Sequence, residues 1–200
     1  MNTLTKFVPG MMGQLRPKPA TGDAIQSIAL PLPEKHGGLP LMEALKLRHS
    51  SRDFASNPLS LQLLSNLLWA ANGINRTDGG CTTPSALNAQ EIDVFLALPS
   101  GAYRYDAALN ELHLVAIDDL RRITGYQDFV DEAPLDLVYV ADHTRMNRVP
   151  VGQRESYASV AAGAITDAPG LTHDQQVLLS QIVGYPKGLP DPIANESGAS

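Results

Sequence analysis

The run Leu135-Asp-Leu-Val-Tyr-Val-Ala141 constrains the fold of this chain more than any other stretch. Six of its seven residues are apolar, with no polar alternation. A strand of that kind needs cover on both faces, so it belongs inside a sheet and not at its rim. Ile92–Leu98 reads as a second strand. Ala102-Tyr-Arg-Tyr-Asp106 and Glu111-Leu-His-Leu-Val-Ala116 flank an Ala-Ala-Leu-Asn turn and read as a hairpin. Gln176–Tyr185 supplies a last strand. Helical spacing marks Leu39–His49. It also marks Asn57–Gly73, with Ser60 as N-cap, an apolar stripe of Leu61, Leu64, Leu67 and Leu68, and Gly73 as the stop. A broken helical region covers Asp119–Thr124 and Gln127–Glu132. Arg154–Ile165 predicts a further helix, whose small residues (Ala158, Ala161, Ala162, Gly163, Ala164) permit close packing. The order helix, helix, strand, hairpin, strand, helix, strand implies an α+β fold with a mixed or antiparallel sheet flanked by helices.

Two hundred residues suit one domain that folds without disulfide staples. Residues 1–38, rich in Pro and Gly, read as an N-terminal arm or linker that pairs locally through Ile25–Leu32. Residues 39–188 form the domain, and residues 189–200 a flexible tail. The net charge of −6 argues against a nucleic-acid binder, which needs a basic face. No stretch approaches the ~18–20 apolar residues of a membrane helix. The first residues lack the apolar core of a signal peptide. The single cysteine, Cys81, forbids an intrachain disulfide, and a reducing compartment, the cytoplasm, is the simpler expectation. Five scattered histidines make no ligand pair, so no metal is expected.

The chemistry concentrates in Arg48-His49-Ser50-Ser51-Arg52-Asp53-Phe54, at the end of the first helix. Arg guanidinium matches phosphate oxygens two at a time, and Ser hydroxyls fill remaining lone pairs. Two other readings stand beside a phosphate clamp. Basic residues at a helix C-terminus complement its dipole, and Arg52 can pair with Asp53 or Glu43 on the surface. Gly79-Gly80 is a loop device and not a dinucleotide fingerprint. No triad or paired carboxylate stands out, so the catalytic residues stay unassigned.

Five stretches in order carry a resemblance. They are Arg48–Phe54, Leu64-Ser-Asn-Leu-Leu-Trp69-Ala-Ala-Asn-Gly73, Thr83-Pro-Ser-Ala-Leu-Asn88-Ala-Gln90-Glu91, Ala133–Ala141 and Val183-Gly-Tyr-Pro-Lys187. Together they resemble the FMN-dependent nitroreductase family, most closely its SagB/thiazoline-oxidase-like branch, from about Leu39 to Gly188. The resemblance implies a homodimer with FMN at the subunit interface. NAD(P)H would reduce the flavin, which then reduces a nitro, quinone or similar small-molecule acceptor. It also leaves two alternatives, a non-catalytic flavin-binding remnant and an azoline dehydrogenase of peptide modification. By the same resemblance Arg48, Ser50 and Arg52 form the phosphate and ribityl clamp, and His49 faces the flavin. Pro84, Ser85 and Asn88 place an amide near the flavin ring, with Gln90 in the same segment. Lys187 reaches the phosphate, although a surface lysine leaving a strand looks the same. Trp69 and Tyr185 read as core or interface residues.

Relatives continue the helix near Arg154 and add a connection and a strand behind the flavin. Here Ala162-Gly-Ala-Ile165 runs into Thr166-Asp-Ala-Pro-Gly-Leu171 and the last strand. A block of a few tens of residues is expected to be missing after about residue 165, which leaves the fold incomplete on one side of the ring pocket.

Overall fold

The computed structural model describes residues 26–47, 49, 52–83, 89–124, 130–155, 175–185 and 187. Its centre is a six-stranded sheet. The strands are β1 (Ser27–Ala29), β2 (Ile92–Leu98), β3 (Gly101–Asp106), β4 (Glu111–Ala116), β5 (Leu135–Asp142) and β6 (Gln175–Val183). The helices are α1 (Leu41–Leu47), α2 (Leu61–Asn72) and the short α3 (Arg121–Thr124). Residues 151–155 form a further helical turn, and His143–Arg145 a 3-10 turn.

The sheet runs β1-β4-β3-β2-β5-β6, and each of these pairings is antiparallel. Parallel pairs, which a mixed sheet would contain, are absent among the described residues. As its composition requires, β5 lies inside the sheet, with Leu96 opposite Leu137 on one side and Val183 opposite Leu135 on the other. Period-2 alternation gives one face to Val94, Leu96, Tyr103, Tyr105, Leu112, Leu135 and Leu137, which pack with Leu64 and Leu68 of α2. Phe95, Val138 and Val140 form a smaller cluster on the opposite face.

The N-terminal stretch departs from expectation. Its strand does not pair locally but docks on β4, with Ile28 opposite Leu112. Leu30 completes the apolar alternation and is buried in the core. Asn110 secures the junction, its Nδ2 donating to the carbonyls of Leu30 (3.2 Å) and Pro31 (2.8 Å).

Helix α2 starts as read, with Ser60 Oγ accepting from the Leu63 amide at 3.2 Å. Gly73 ends it for a reason other than backbone handedness. Its φ is −77°, but a Cβ there would lie 2.3 Å from Trp69 Cδ1, so only glycine fits against the last turn. The stripe is narrower than expected, since Leu64 and Leu68 are buried while Leu61 is 45% exposed. Helix α1 buries nothing, and Leu41 and Met42 are more than 70% exposed.

Candidate functional site

Antiparallel contacts bring the two ends of the domain together. Ala55 donates its amide to the Tyr185 carbonyl at 2.7 Å, and Lys187 donates to the Asp53 carbonyl at 3.1 Å. Gly184 permits the approach, because a Cβ there would sit 2.6 Å from the Pro134 ring and 2.9 Å from the Phe54 ring. The result places Lys187 beside the segment that follows Arg52. Lys187 Nζ lies 2.8 Å from Asp53 Oδ1 and 3.7 Å from Glu132 Oε2. The Asp53 hydrogen bond, more than any other contact, holds the ammonium above its ordinary pKa.

Arg52 is exposed. His49 is spent locally, its Nδ1 donating to the Leu47 carbonyl at 3.0 Å and closing the end of α1. Arg48, Ser50, Pro84, Ser85 and Asn88 lie outside the described residues.

Gln90 stands elsewhere. Ile92 pairs with Ala141 at the C-terminal end of β5, whereas Val183, four residues before Lys187, pairs with Leu135 at its N-terminal end. The six residue steps from Leu135 to Ala141 separate the two positions by about 20 Å at ~3.3 Å per residue. Gln90 takes a left-handed backbone, with φ 49°. Its Nε2 donates to the Gly79 carbonyl at 2.9 Å. Asn72 Nδ2 holds the Ile92 carbonyl at 3.1 Å, and the Glu91 carbonyl accepts from the Asp142 amide at 2.8 Å.

Two polar clusters escaped the sequence reading. Arg145 bridges Asp93, Asp142 and the Gln90 carbonyl. Asp136, fully buried in the apolar run of β5, accepts from Thr124 Oγ1 while its other oxygen has no partner. Burial pushes its pKa up to about 7, against the opposing effects of the Thr124 hydrogen bond and the Arg121 charge. An aspartate inside an otherwise apolar strand was the available signal for the second cluster. For the first it was the Asp-x-x-Arg spacing after that strand. No cluster that could hold a metal occurs among the described residues.

Residues 45–168 match the nitroreductase family. The chain belongs to the nitroreductase family. A crystal structure of a family candidate from Ralstonia eutropha is 42% identical, with a TM-score of 0.74 over 86% of this chain and 95% of that one. A Methanocaldococcus jannaschii protein is 26% identical over 148 residues, 64% of this chain and 72% of its own. Both of these proteins are named putative nitroreductases. An Anabaena variabilis structure, 19% identical with a TM-score of 0.58 over 82% of this chain and 42% of that one, shares the fold. Nitroreductase membership points to flavin-dependent oxidoreductase chemistry on small-molecule substrates. The matched span contains Arg52, Gln90 and Arg145, and Lys187 lies beyond it. No helix among the described residues is long and apolar enough to cross a membrane.

Proposed function

We propose that the chain is an FMN-dependent oxidoreductase that uses NAD(P)H to reduce nitro compounds, quinones or similar electron-poor acceptors, and that it acts as a homodimer. The flavin, when bound, supplies two-electron hydride chemistry that no side chain here can supply. The observation that carries the reading is the division of the candidate site. Arg52 and Lys187 stand at one end of β5 and Gln90 at the other. A two-fold pair of chains lets the phosphate end of one meet the ring end of its partner. Helix α1 supports this arrangement. Leu39, Leu41, Met42, Leu45 and Leu47 leave an apolar surface in water directly before the clamp. Burying that surface against a second chain brings the clamp to the interface.

The donor set fits a phosphate. Arg52 offers five N–H groups and Lys187 three, both from exposed heads. Lys187 would exchange Asp53 for the ligand, and Arg48 and Ser50 would complete the grip. His49, with its ring committed to Leu47, would act through its backbone. Pro84, Ser85, Asn88 and Gln90 would orient the ring.

Within this reading the chain is a shortened member of the SagB/thiazoline-oxidase-like branch. Only residues 156–174 separate the helical turn at 151–155 from β6. That is little room for a long helix, a connection and a strand.

Arg52→Ala should weaken FMN binding tenfold to a hundredfold, because a charged hydrogen bond to phosphate carries ~1.5–3 kcal/mol. Titration by flavin fluorescence measures it, and parent-like affinity would overturn the clamp. The dimer has its own test. At an FMN concentration that fills the parent site but leaves each single variant's own site largely empty, Arg52→Ala and Asn88→Ala chains should together regain about a quarter of the parent NADH oxidation when refolded as a mixture, since half the pairs are mixed and each carries one intact site. No recovery would place both residues in one chain's site. Bound FMN that NADH cannot bleach would make the chain a flavin-binding remnant.

A further inference from the structure

We infer that Arg145 is a positioning residue that fixes Gln90, and so aims the ring-side half of the site. The aiming role rests on the flavin reading above, whereas the fixing of Gln90 stands without it. A guanidinium has five donors in one rigid plane, and here three of its nitrogens point to three different places. Nη1 donates to the Gln90 carbonyl at 2.8 Å. Nη2 lies 2.5 Å from Asp93 Oδ2, and Nε lies 3.3 Å from Asp142 Oδ2.

The two carboxylates come from neighbouring strands, β2 and β5, so the fork is referenced to the sheet itself. The 3-10 turn that presents Arg145 is fixed in turn. Asp142 Oδ1 accepts from the Thr144 amide at 2.9 Å and from its hydroxyl at 2.6 Å. Gln90 needs such holding because its φ of 49° is a conformation that L side chains adopt reluctantly. Arg145 holds its backbone carbonyl and the Gly79 carbonyl holds its side-chain amide, so backbone and side chain each have an anchor. Freed of Arg145, the backbone at Gln90 relaxes and its side chain loses its bearing on Gly79. The core does not depend on this residue. The Arg145 side chain is 34% exposed, and it belongs to none of the apolar clusters. Loss of Arg145 should therefore be felt locally.

The test uses amide hydrogen exchange on the full chain without cofactor, in the parent, Arg145→Met and Arg145→Lys. Exchange in peptides covering Ala89–Ile92 should rise at least tenfold in Arg145→Met and remain at the parent rate over β3 and α2. Lys has a point charge and no fork, so it should rescue little of the effect. A parent-like rate at 89–92 in Arg145→Met overturns the inference. So does a rise spread evenly over the sheet, which would make Arg145 a general brace. Full rescue by Lys overturns the fork geometry. FMN titration of the same proteins separates the two layers. If the parent fails to bind FMN, the proposed function falls while the exchange result stands. If Arg145→Met exchanges faster at 89–92 yet gives bound FMN the parent's affinity and visible spectrum, the aiming role falls.

Discussion

Asp136→Asn should stabilise the protein by roughly 4 kcal/mol at pH 8 and change little near pH 4. The carboxyl is fully buried, with one oxygen bonded to Thr124 and the other without a partner. Arg121 is close enough to matter electrostatically, but its guanidinium is occupied by Asp119 and the Ala133 carbonyl. Desolvation dominates and raises the Asp136 pKa to about 7 in the folded state. An unfolded aspartate titrates near ~3.9. Between those values the folded protein keeps a proton that the unfolded chain has lost, so stability falls as pH rises across the window. The slope approaches ~1.4 kcal/mol per pH unit, and above pH 7 the burial cost is present in full. Asparagine keeps the shape and the acceptor for Thr124 and cannot ionise. Asp119 behaves in the opposite sense. Its hydrogen bond to Arg121, the largest influence, lowers its pKa, so its contribution is present at neutral pH and lost only in acid. Urea melts of parent and variant from pH 4 to 8.5 decide the matter. Parallel stability curves would mean that Asp136 stays ionised at little cost.

That prediction turns on a residue whose surroundings the sequence conceals. The apolar run Leu135–Ala141 announces a buried strand, because seven residues without polar alternation have no other comfortable place. It says nothing of how a single aspartate inside it is accommodated, since Thr124 and Arg121 arrive from a different element. The β3–β4 hairpin was legible for a local reason. Asp106 Oδ1 accepts from the amides of Ala108 and Leu109, so the turn is written in four consecutive residues. Strand β1 was not legible. Its three residues hold their place through Leu112 and Asn110, some eighty positions away, and no local pattern encodes that. The candidate site divides in the same way. The resemblance assigns Arg52 and Lys187 to one phosphate, and what the structure adds is the contact of Lys187 with Asp53, the residue after Arg52. Arg145 carried one local signal, Asp142 three residues before it, while Asp93 and Gln90 reach it through the register of β2 on β5.

Leu68→Ala should cost about 2–5 kcal/mol, while Leu61→Ala should stay within about 0.5 kcal/mol in a dilute sample. Both residues belong to the apolar stripe that the sequence assigns to one face of α2. The structure separates them, with Leu68 fully buried against the sheet and Leu61 45% exposed. Truncating Leu68 opens a cavity beneath a helix with little freedom to settle into it. Ser65 Oγ donates to the Pro31 carbonyl at 2.5 Å, and Gln62 Nε2 donates to the Leu32 carbonyl at 2.9 Å. These bonds fix α2 against the chain that leads from β1, which puts the Leu68 cost toward the upper part of the range. Denaturant unfolding at low micromolar protein concentration measures both variants. Equal costs would mean that the packing face of α2 is misassigned. The Leu61 value carries a second message. A penalty that grows with protein concentration would place Leu61 against a second chain, because only an association equilibrium couples folding stability to concentration. The apolar surface left open by α1 would then extend onto α2, and the proposed pairing of chains would have a physical face.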